Sequence, residues 1–236
     1  FNSDIAEFLL ARRYFWSCDY SKALNTARKV MQKHPLVGIS EYKEMMESTV
    51  APKGSILMKS YILRESSHSL NYTGNYEYLN YKPVSKRFIN AFPEKERDVR
   101  YALSFDSKRK NVKFPNMRMR SAEMKLIEME SLYHLGDKDA ALASLNELRA
   151  LRISGEYSYS TETLPEISVK DAMVSSDAKG QELTPLINAI LNERRKEFYM
   201  EGDRWWELKR NGRPEFWVAK QGRKYTTLQF MYTFPL

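Results

Sequence analysis

The sequence is poor in the residues on which several classes of protein depend. One cysteine, Cys18, among 236 residues excludes an internal disulfide framework and a zinc site built on several cysteines. Three scattered histidines (His34, His68 and His134) argue against a metal centre, so we expect no metal and no cofactor. The longest apolar runs are a few residues long, far short of the ~20 residues that a membrane-spanning helix needs.

Sequence motifs of nucleotide and nucleophile chemistry are missing as well. The chain has no P-loop, no GxGxxG and no Gly-x-Ser-x-Gly elbow. Its net charge of +8 arises from 38 Lys and Arg against 30 Asp and Glu, and bases alternate with acids, as in residues 193–197. Because no RNA-binding signature or zinc-finger spacing accompanies these bases, we expect solvated helix faces and no nucleic-acid partner.

The residues that are present predict helices. The hydrophobic fraction of 42% is enough for a sizeable core. Apolar residues at helical spacing predict one helix over Ser3–Trp16 and another over Tyr20–Lys33, a pair near residues 4–33. Ala23 and Ala27 are small residues at the spacing of a tetratricopeptide repeat, which lets two antiparallel helices approach closely.

A second helix pair with the same spacing is predicted near residues 119–151, where Gly136 and Asp137 make the turn. The two pairs lie far apart in the chain, so they are not tandem repeats, and residues 36–117 form a loop-rich insert between them. We therefore predict an all-α fold, a tetratricopeptide-like helical-repeat body with long irregular loops and room for a small hairpin.

Shorter elements follow from local composition. Thr184 and Pro185 are a helix start, and the helix is expected to run over 185–201 and to stop at Gly202. We also predict a short strand or extended segment within Gly54–Arg64, a short helix in Val84–Phe92, a polar loop over 153–182 and an aromatic helix over Asp203–Arg210.

Four segments, in this order along the chain, resemble the SusD/RagB family of surface glycan-binding lipoproteins from Bacteroidetes-type bacteria. They are Leu10–Ala27, Asp98–Arg100, Arg120–Asp137 and, most specifically, Ile190–Gly212 (ILNERRKEFYMEGDRWWELKRNG). Two departures from the family pattern are conservative: Met129-Glu130-Ser131 replaces Ala-Glu-Ala, and Glu207 replaces Asp. The similarity runs along the whole chain but covers only the C-terminal half of a typical member.

The resemblance implies a function as well as a fold. Residues 1–236 would be a single SusD-like helical domain (its C-terminal portion), with signature helices at 185–212. The chain would capture oligosaccharides for a SusC-like TonB-dependent transporter at the outer membrane, in polysaccharide utilization, and would not be an enzyme. The signal peptide and lipid anchor would precede Phe1, and that anchor would be the sole membrane association. The alternatives are a helical-repeat protein–protein adaptor without a small-molecule ligand and an enzyme such as a glycosidase, for which no constellation of residues in the sequence speaks.

The family signature residues are expected to be structural. They are Asp98, Arg100, Arg120, Glu123, Glu193, Arg194, Glu201, Gly202 and Arg204. Glu193, Glu197 and Glu201 recur every four residues on one helix face, and they could be an acid–base or metal site or could pair with neighbouring bases. We favour the pairing, with Arg194, Arg195, Arg204 or Lys209 as partners. Asp98 and Arg100 could clamp a ligand or tie the insert to the body, and we favour the tie.

The best ligand-binding candidates lie in the Tyr- and Asn-rich segment 71–81. Tyrosine rings stack on the apolar faces of sugars, and amides bond their hydroxyls. The candidates are Asn71, Tyr72, Asn75, Tyr76, Tyr78 and Tyr81, with Tyr157 and Tyr159 as a weaker second group. The alternative for 71–81 is a β-hairpin that packs alternate tyrosines on the body. Trp205 and Trp206 are expected to be packing residues.

Overall fold

The computed structural model describes residues 3–47, 54–59, 83–113, 118–168, 174–220 and 223–227. These residues are mostly helical, which confirms the predicted fold class. The helices are α1 (Ser3–Trp16), α2 (Tyr20–Lys33), α3 (Ile39–Glu47), α4 (Lys86–Ile89), α5 (Val99–Ser104), α6 (Ser121–Leu135), α7 (Lys138–Ala150), α8 (Pro185–Glu197) and α9 (Arg204–Arg210). The strands are β1 (Ile56–Lys59), β2 (Arg118–Arg120), β3 (Phe216–Lys220) and β4 (Arg223–Thr227).

Helices α1 and α2 form the first predicted pair. The side chain of Asp19 caps α2 by accepting a hydrogen bond from the backbone N–H of Lys22. Ala11, Ala23 and Ala27 are fully buried, as expected for positions where two helices approach closely. The predicted pair near residues 4–33 is therefore confirmed.

Helices α6 and α7 form the second predicted pair. Gly136 ends α6 with a φ of 95°, a left-handed conformation that favours glycine. Asp137 then caps α7, its carboxylate accepting from the backbone N–H of Ala140 at 3.1 Å. These bounds confirm the predicted pair near residues 119–151.

The helices pack as an ordered array with α6 at its centre. Helix α2 packs against both α1 and α6, while α7 and α8 pack against α6. Two buried clusters result. Phe8, Phe15 and Ile127 belong to the cluster of α1, α2 and α6, whereas Leu145 and Ile187 belong to the cluster of α6, α7 and α8. Fully burying each such side chain contributes ~1.5–3 kcal/mol to folding.

Helix α8, which was predicted over 185–201, is shorter than predicted. It ends at Glu197 rather than 201, and Phe198 closes it with a backbone hydrogen bond to the carbonyl of Arg194. Met200 and Gly202 then adopt positive φ values of 62° and 81°, which turn the chain into α9. Both conformations are incompatible with a right-handed helix, and the turn carries Glu201 into the interior.

The insert and the C-terminal region hold elements that were not predicted, namely α3, α5 and the antiparallel hairpin of β3 and β4. The predicted extended segment contains β1, which pairs antiparallel with β2. The short helix α4 lies inside the predicted 84–92 range, and 153–168 and 174–182 contain no helix or strand, as predicted. None of the described helices has the length and apolar composition that crossing a membrane requires.

Candidate functional site

The α8 ion-pair cluster occupies the interior where α8 meets the insert and α7. We define it by the three glutamates Glu193, Glu197 and Glu201 and by the cations that contact them. Glu193, Glu197 and Glu201 are 1%, 0% and 6% exposed, respectively. Charges this deeply buried are costly unless each one is paired.

Glu193 is held by cations from three elements. Its carboxylate accepts from Nη1 of Arg100 at 2.7 Å and from Nη1 of Arg149 at 2.7 Å. Lys196, one turn further along α8, makes the third ion pair. Arg100 is itself held by a bidentate pair with Asp98, at 2.9 and 2.7 Å, and Asp98 caps α5. The insert is thereby joined to α8 through one guanidinium group.

Glu197 and Glu201 share Arg120, which stands at the junction of β2 and α6. Arg120 forms ion pairs with both carboxylates, at 3.1 Å from its Nη2 to Glu201. Glu197 also accepts from Nε of Arg152 at 3.1 Å, and Glu201 accepts from Nζ of Lys113 at 2.8 Å. Each carboxylate therefore contacts at least two cations.

The carboxylates of the cluster keep their negative charges. Burial alone would raise the pKa of Glu193, but attraction to Arg100, Lys196 and Arg149 outweighs burial and holds that pKa far below its usual value. The pKa of Glu197 is lowered in the same way, mainly by Arg152 and Arg120. Conversely, burial lowers the pKa of Lys196 despite the nearby Glu193. Carboxylates fixed in the ionised form by several cations are poor proton donors or acceptors near neutral pH.

The partners of the glutamates differ from those that the sequence suggested. Apart from Lys196, they come from other elements rather than from neighbouring positions on the helix. Arg194 forms a bidentate pair with Asp203 at 2.8 and 2.5 Å, and Arg204 pairs with Glu207 at 2.7 Å. Arg149 and Arg152 were not predicted as partners, because nothing in their position in the last turn of α7 and just beyond it indicates a contact with α8.

A groove lies beside the cluster, between α1, the β1–β2 pair and α9. This α1–α9 groove has a volume of about 800 Å³. Its apolar lining is Leu9, Trp16, Met58, Met119, Phe198 and Trp206. The rings of Trp16 and Trp206 meet edge to face with centroids 5.7 Å apart.

Two arginines of the groove, Arg12 and Arg194, form ion pairs with carboxylates that also line it. Arg12 donates to both oxygens of Glu123, at 2.7 and 2.6 Å, and Arg194 holds Asp203 as described. Attraction to Asp203 and Glu123 raises the pKa of Arg194, although burial opposes it. Nη1 of Arg194 is buried and has no hydrogen-bond partner among the described residues.

Comparison with protein families identifies the family of the chain. The sequence profile of the SusD family matches residues 13–233. The chain belongs to the SusD family. The α8 ion-pair cluster thus joins three of the four segments that carry the resemblance, since Arg100, Arg120 and Glu193 come from different ones.

Solved structures agree with this family assignment at the level of the fold. A SusD-like carbohydrate binding protein from Bacteroides vulgatus has a TM-score of 0.62 at 19% identity, covering 96% of this chain and 51% of that one. A SusD superfamily protein from Bacteroides thetaiotaomicron has a TM-score of 0.60 at 22% identity, covering 89% and 50%. The chain therefore spans about half the length of these relatives. Comparison with functionally curated proteins gave no significant match.

The ligand candidates of this SusD-family chain fall in two places. Residues 71–81, with all six candidates of the first group, lie outside the described residues. Tyr157 and Tyr159 are half-buried beside the cluster. The Tyr159 ring stacks on the guanidinium of Arg149 at 3.7 Å, and the carbonyl of Tyr157 accepts from Nε of Arg149. Burial raises the pKa of Tyr159.

Proposed function

We propose that this SusD-family protein captures oligosaccharides at the cell surface and passes them to a SusC-like TonB-dependent transporter. The observation that carries the proposal is the family match over residues 13–233. One of the structurally similar proteins is described as a SusD-like carbohydrate binding protein. Aromatic stacking and hydrogen bonds would hold the sugar, with Tyr and Asn residues of 71–81 as first candidates and Tyr157 and Tyr159 as second.

The α8 ion-pair cluster does not fit the catalytic site of a glycosidase. A glycosidase needs two carboxyl groups of different proton affinity on either side of the bond that is cleaved. Glu193 and Glu197 are instead both ionised, both inaccessible to a substrate and both held by arginines. Their role in this proposal is to join the insert, α6, α7 and α8 into one rigid support for the ligand-binding loops.

We also propose a location for the protein in the cell. Family membership favours an outer-membrane lipoprotein exposed at the surface of a Bacteroidetes-type cell. There the helical body would dock on the transporter and the loops would present the sugar at its mouth. A capture protein of this kind needs no cofactor, because it changes no covalent bond.

The test is a glycan-array screen of the natural full-length polypeptide, followed by calorimetry with the best oligosaccharide. We expect binding that strengthens as more sugar units are added, because each additional unit engages further aromatic and polar contacts. A protein–protein adaptor would bind none of the glycans. Co-purification with a TonB-dependent transporter from detergent-solubilised membranes tests the transport part separately.

A further inference from the structure

Five basic residues lie together on the surface of the insert. Two of them begin α4, and the other three belong to the turn that follows α5. The backbone N–H of Val84 donates to the carbonyl of Arg109 at 2.8 Å, which places the two segments side by side. We call this surface the cationic patch and define it by Lys86, Arg87, Lys108, Arg109 and Lys110.

The bases of the cationic patch lack acidic partners. None of the five forms an ion pair with any described residue, whereas exposed Lys22 and Lys33 each pair with a carboxylate. Asp106 is the only acid in residues 84–93 and 105–113. Its Oδ1 accepts from the backbone N–H groups of Lys108 and Lys110 at 2.9 and 2.8 Å, and not from a basic side chain. The patch therefore carries a strong net positive charge.

The turn that carries three of these bases is fixed by backbone hydrogen bonds and by packing. The backbone N–H of Asp106 donates to the carbonyl of Lys110 at 3.0 Å. The ring of Phe105 packs on Phe88 of α4 with centroids 6.1 Å apart. Because the backbone is already ordered, a ligand would need to order only the basic side chains, which lowers the entropic cost of binding.

We propose that the cationic patch binds an acidic oligosaccharide, one that carries carboxylate or sulfate groups. The inference rests on the proposed function and adds to it a chemical class of sugar and a surface that recognises this class. Bases without acidic partners create a positive potential that attracts anions, and arginine and lysine form charge-assisted hydrogen bonds with anionic oxygens.

An aromatic ring beside these bases favours a saccharide over other polyanions. Phe88 follows Arg87 directly and is half-buried. Its ring lies 4.9 Å from that of Tyr199, and the guanidinium of Arg195 lies over it at 5.4 Å. An acidic sugar has both an apolar C–H face, which can pack on an aromatic ring, and anionic groups for the bases. Anionic membranes and nucleic acids are therefore comparison ligands in the test.

Calorimetry with two matched pairs of oligosaccharides tests the proposal on the natural full-length polypeptide. An oligogalacturonate is compared with its methyl ester, and a heparin-derived oligosaccharide with its desulfated form, so each pair shares its sugars and differs in charge. We expect at least one of the more acidic members to bind roughly tenfold more tightly than its counterpart, and to lose affinity as NaCl rises from about 0.05 to about 0.5 M, because salt screens surface charges.

The two pairs also separate the possible results. Preference for the galacturonate assigns carboxylate recognition, and preference for the heparin fragment assigns sulfate recognition. Equal affinities within both pairs, or no binding of either acidic member, would overturn the inference. Glycan capture itself would still stand if the glycan array identifies a neutral ligand. Equally tight binding of phosphatidylglycerol vesicles or of single-stranded DNA would overturn the assignment to a saccharide.

A pair of double variants locates the binding surface. Arg87→Gln with Lys108→Gln removes two exposed bases of the patch and should weaken binding of the preferred acidic oligosaccharide roughly tenfold, since each exposed ion pair contributes a factor of about two to five. Lys29→Gln with Lys43→Gln, at exposed lysines of α2 and α3, changes the net charge equally and should weaken binding less than about twofold. Equal losses in the two double variants would mean that the oligosaccharide responds to net charge alone, and the patch would not be its site.

Discussion

Arg100 and Glu193 lie 93 residues apart in the chain and form a buried ion pair at 2.7 Å. Arg100 lies in the loop-rich insert and Glu193 on α8, so this contact joins two parts of the fold that also meet where Phe88 and Phe105 pack on Tyr199. Asp98, also in the insert, holds the other edge of the same guanidinium group at 2.7 Å. Charge pairing therefore acts together with hydrophobic packing to orient the insert.

The first prediction concerns this pair. Arg100→Ala leaves Glu193 and Asp98 buried with fewer cations, and removing one partner of a buried pair typically costs ~3–5 kcal/mol. We expect a loss of that size in the free energy of unfolding, measured by urea denaturation of the natural polypeptide. Lys33→Ala is the control, because Lys33 makes ion pairs with Asp4 and Glu7 but is 48% exposed. It should cost less than ~1 kcal/mol. Equal losses would mean that the Arg100 pair is not desolvated in solution.

The second prediction concerns acid stability and Glu130. Burial would raise the pKa of Glu130, but Arg210, at 2.7 Å, and His134 lower it from 4.5 to about 2. Because the pKa is lower in the folded state, the stabilisation is fully present above pH 4.5 and is lost as the pH falls toward 2. A shift of this size corresponds to about 3 kcal/mol.

The test is the free energy of unfolding measured from pH 7 down to pH 2.5. Glu130→Gln should be less stable than the parent at pH 7 and should lose less stability between pH 4.5 and 2.5. Glu96→Gln is the control, since that side chain is 85% exposed, and its profile should run parallel to the parent. A parallel profile for Glu130→Gln as well would show that this carboxylate has an ordinary pKa in the folded state.

The sequence predicts what is local and periodic. Helices α1, α2, α6 and α7 follow from apolar spacing, from the caps at Asp19 and Asp137 and from the glycine turn between α6 and α7. Helix α3, Ile39–Glu47, was missed because nine residues hold too few turns for a clear period.

The candidate site is less accessible from the sequence than the helices are. The spacing of Glu193, Glu197 and Glu201 reveals a charged helix face but not its partners. Most of the partners come from separate elements of the chain rather than from neighbouring positions on the helix. Only the folded structure brings them to about 3 Å from the carboxylates. The groove cannot be recognised from the sequence for the same reason, since Trp16 and Trp206 are far apart in the chain and meet only in the folded structure.

The third prediction concerns the turn between α6 and α7. Gly136 has a φ of 95°, and a Cβ at this position would meet no atom within 4 Å. Gly136→Ala therefore adds backbone strain alone, which costs ~1–2 kcal/mol for an L-residue in a left-handed conformation. Gly38→Ala is the matched control, because Gly38 also has free space around it but no positive φ. Thermal melts should show a lower Tm for Gly136→Ala alone. Equal melting temperatures would mean that the turn adopts another conformation in solution.

The fourth prediction separates the two tyrosines beside the cluster. The ring of Tyr159 covers the guanidinium of buried Arg149 at 3.7 Å, so Tyr159→Ala should lower stability by ~0.5–2 kcal/mol through the lost cation–π contact. Tyr157 contacts Arg149 through its backbone carbonyl, which alanine retains. Tyr157→Ala should therefore leave the melting temperature close to that of the parent. Loss of oligosaccharide binding in this variant, without loss of stability, would identify Tyr157 as a ligand residue.

The last prediction concerns the tyrosines of the 71–81 segment. Each tyrosine of the segment is replaced by Ala in one variant and by Phe in another, and the positions are Tyr72, Tyr76, Tyr78 and Tyr81. Binding of the oligosaccharide that binds best on the array is then measured by calorimetry. If a ring stacks on the sugar, alanine should weaken binding strongly and phenylalanine should weaken it little, because stacking needs the ring and not the hydroxyl. If the segment instead packs on the body as a hairpin, the alanine variants should lower the melting temperature and leave the affinity of the folded fraction unchanged. If the variants at all four positions fold and bind like the parent, the ligand site lies outside this segment. The Tyr157 and Tyr159 variants then test whether that second group of tyrosines contributes to the ligand site.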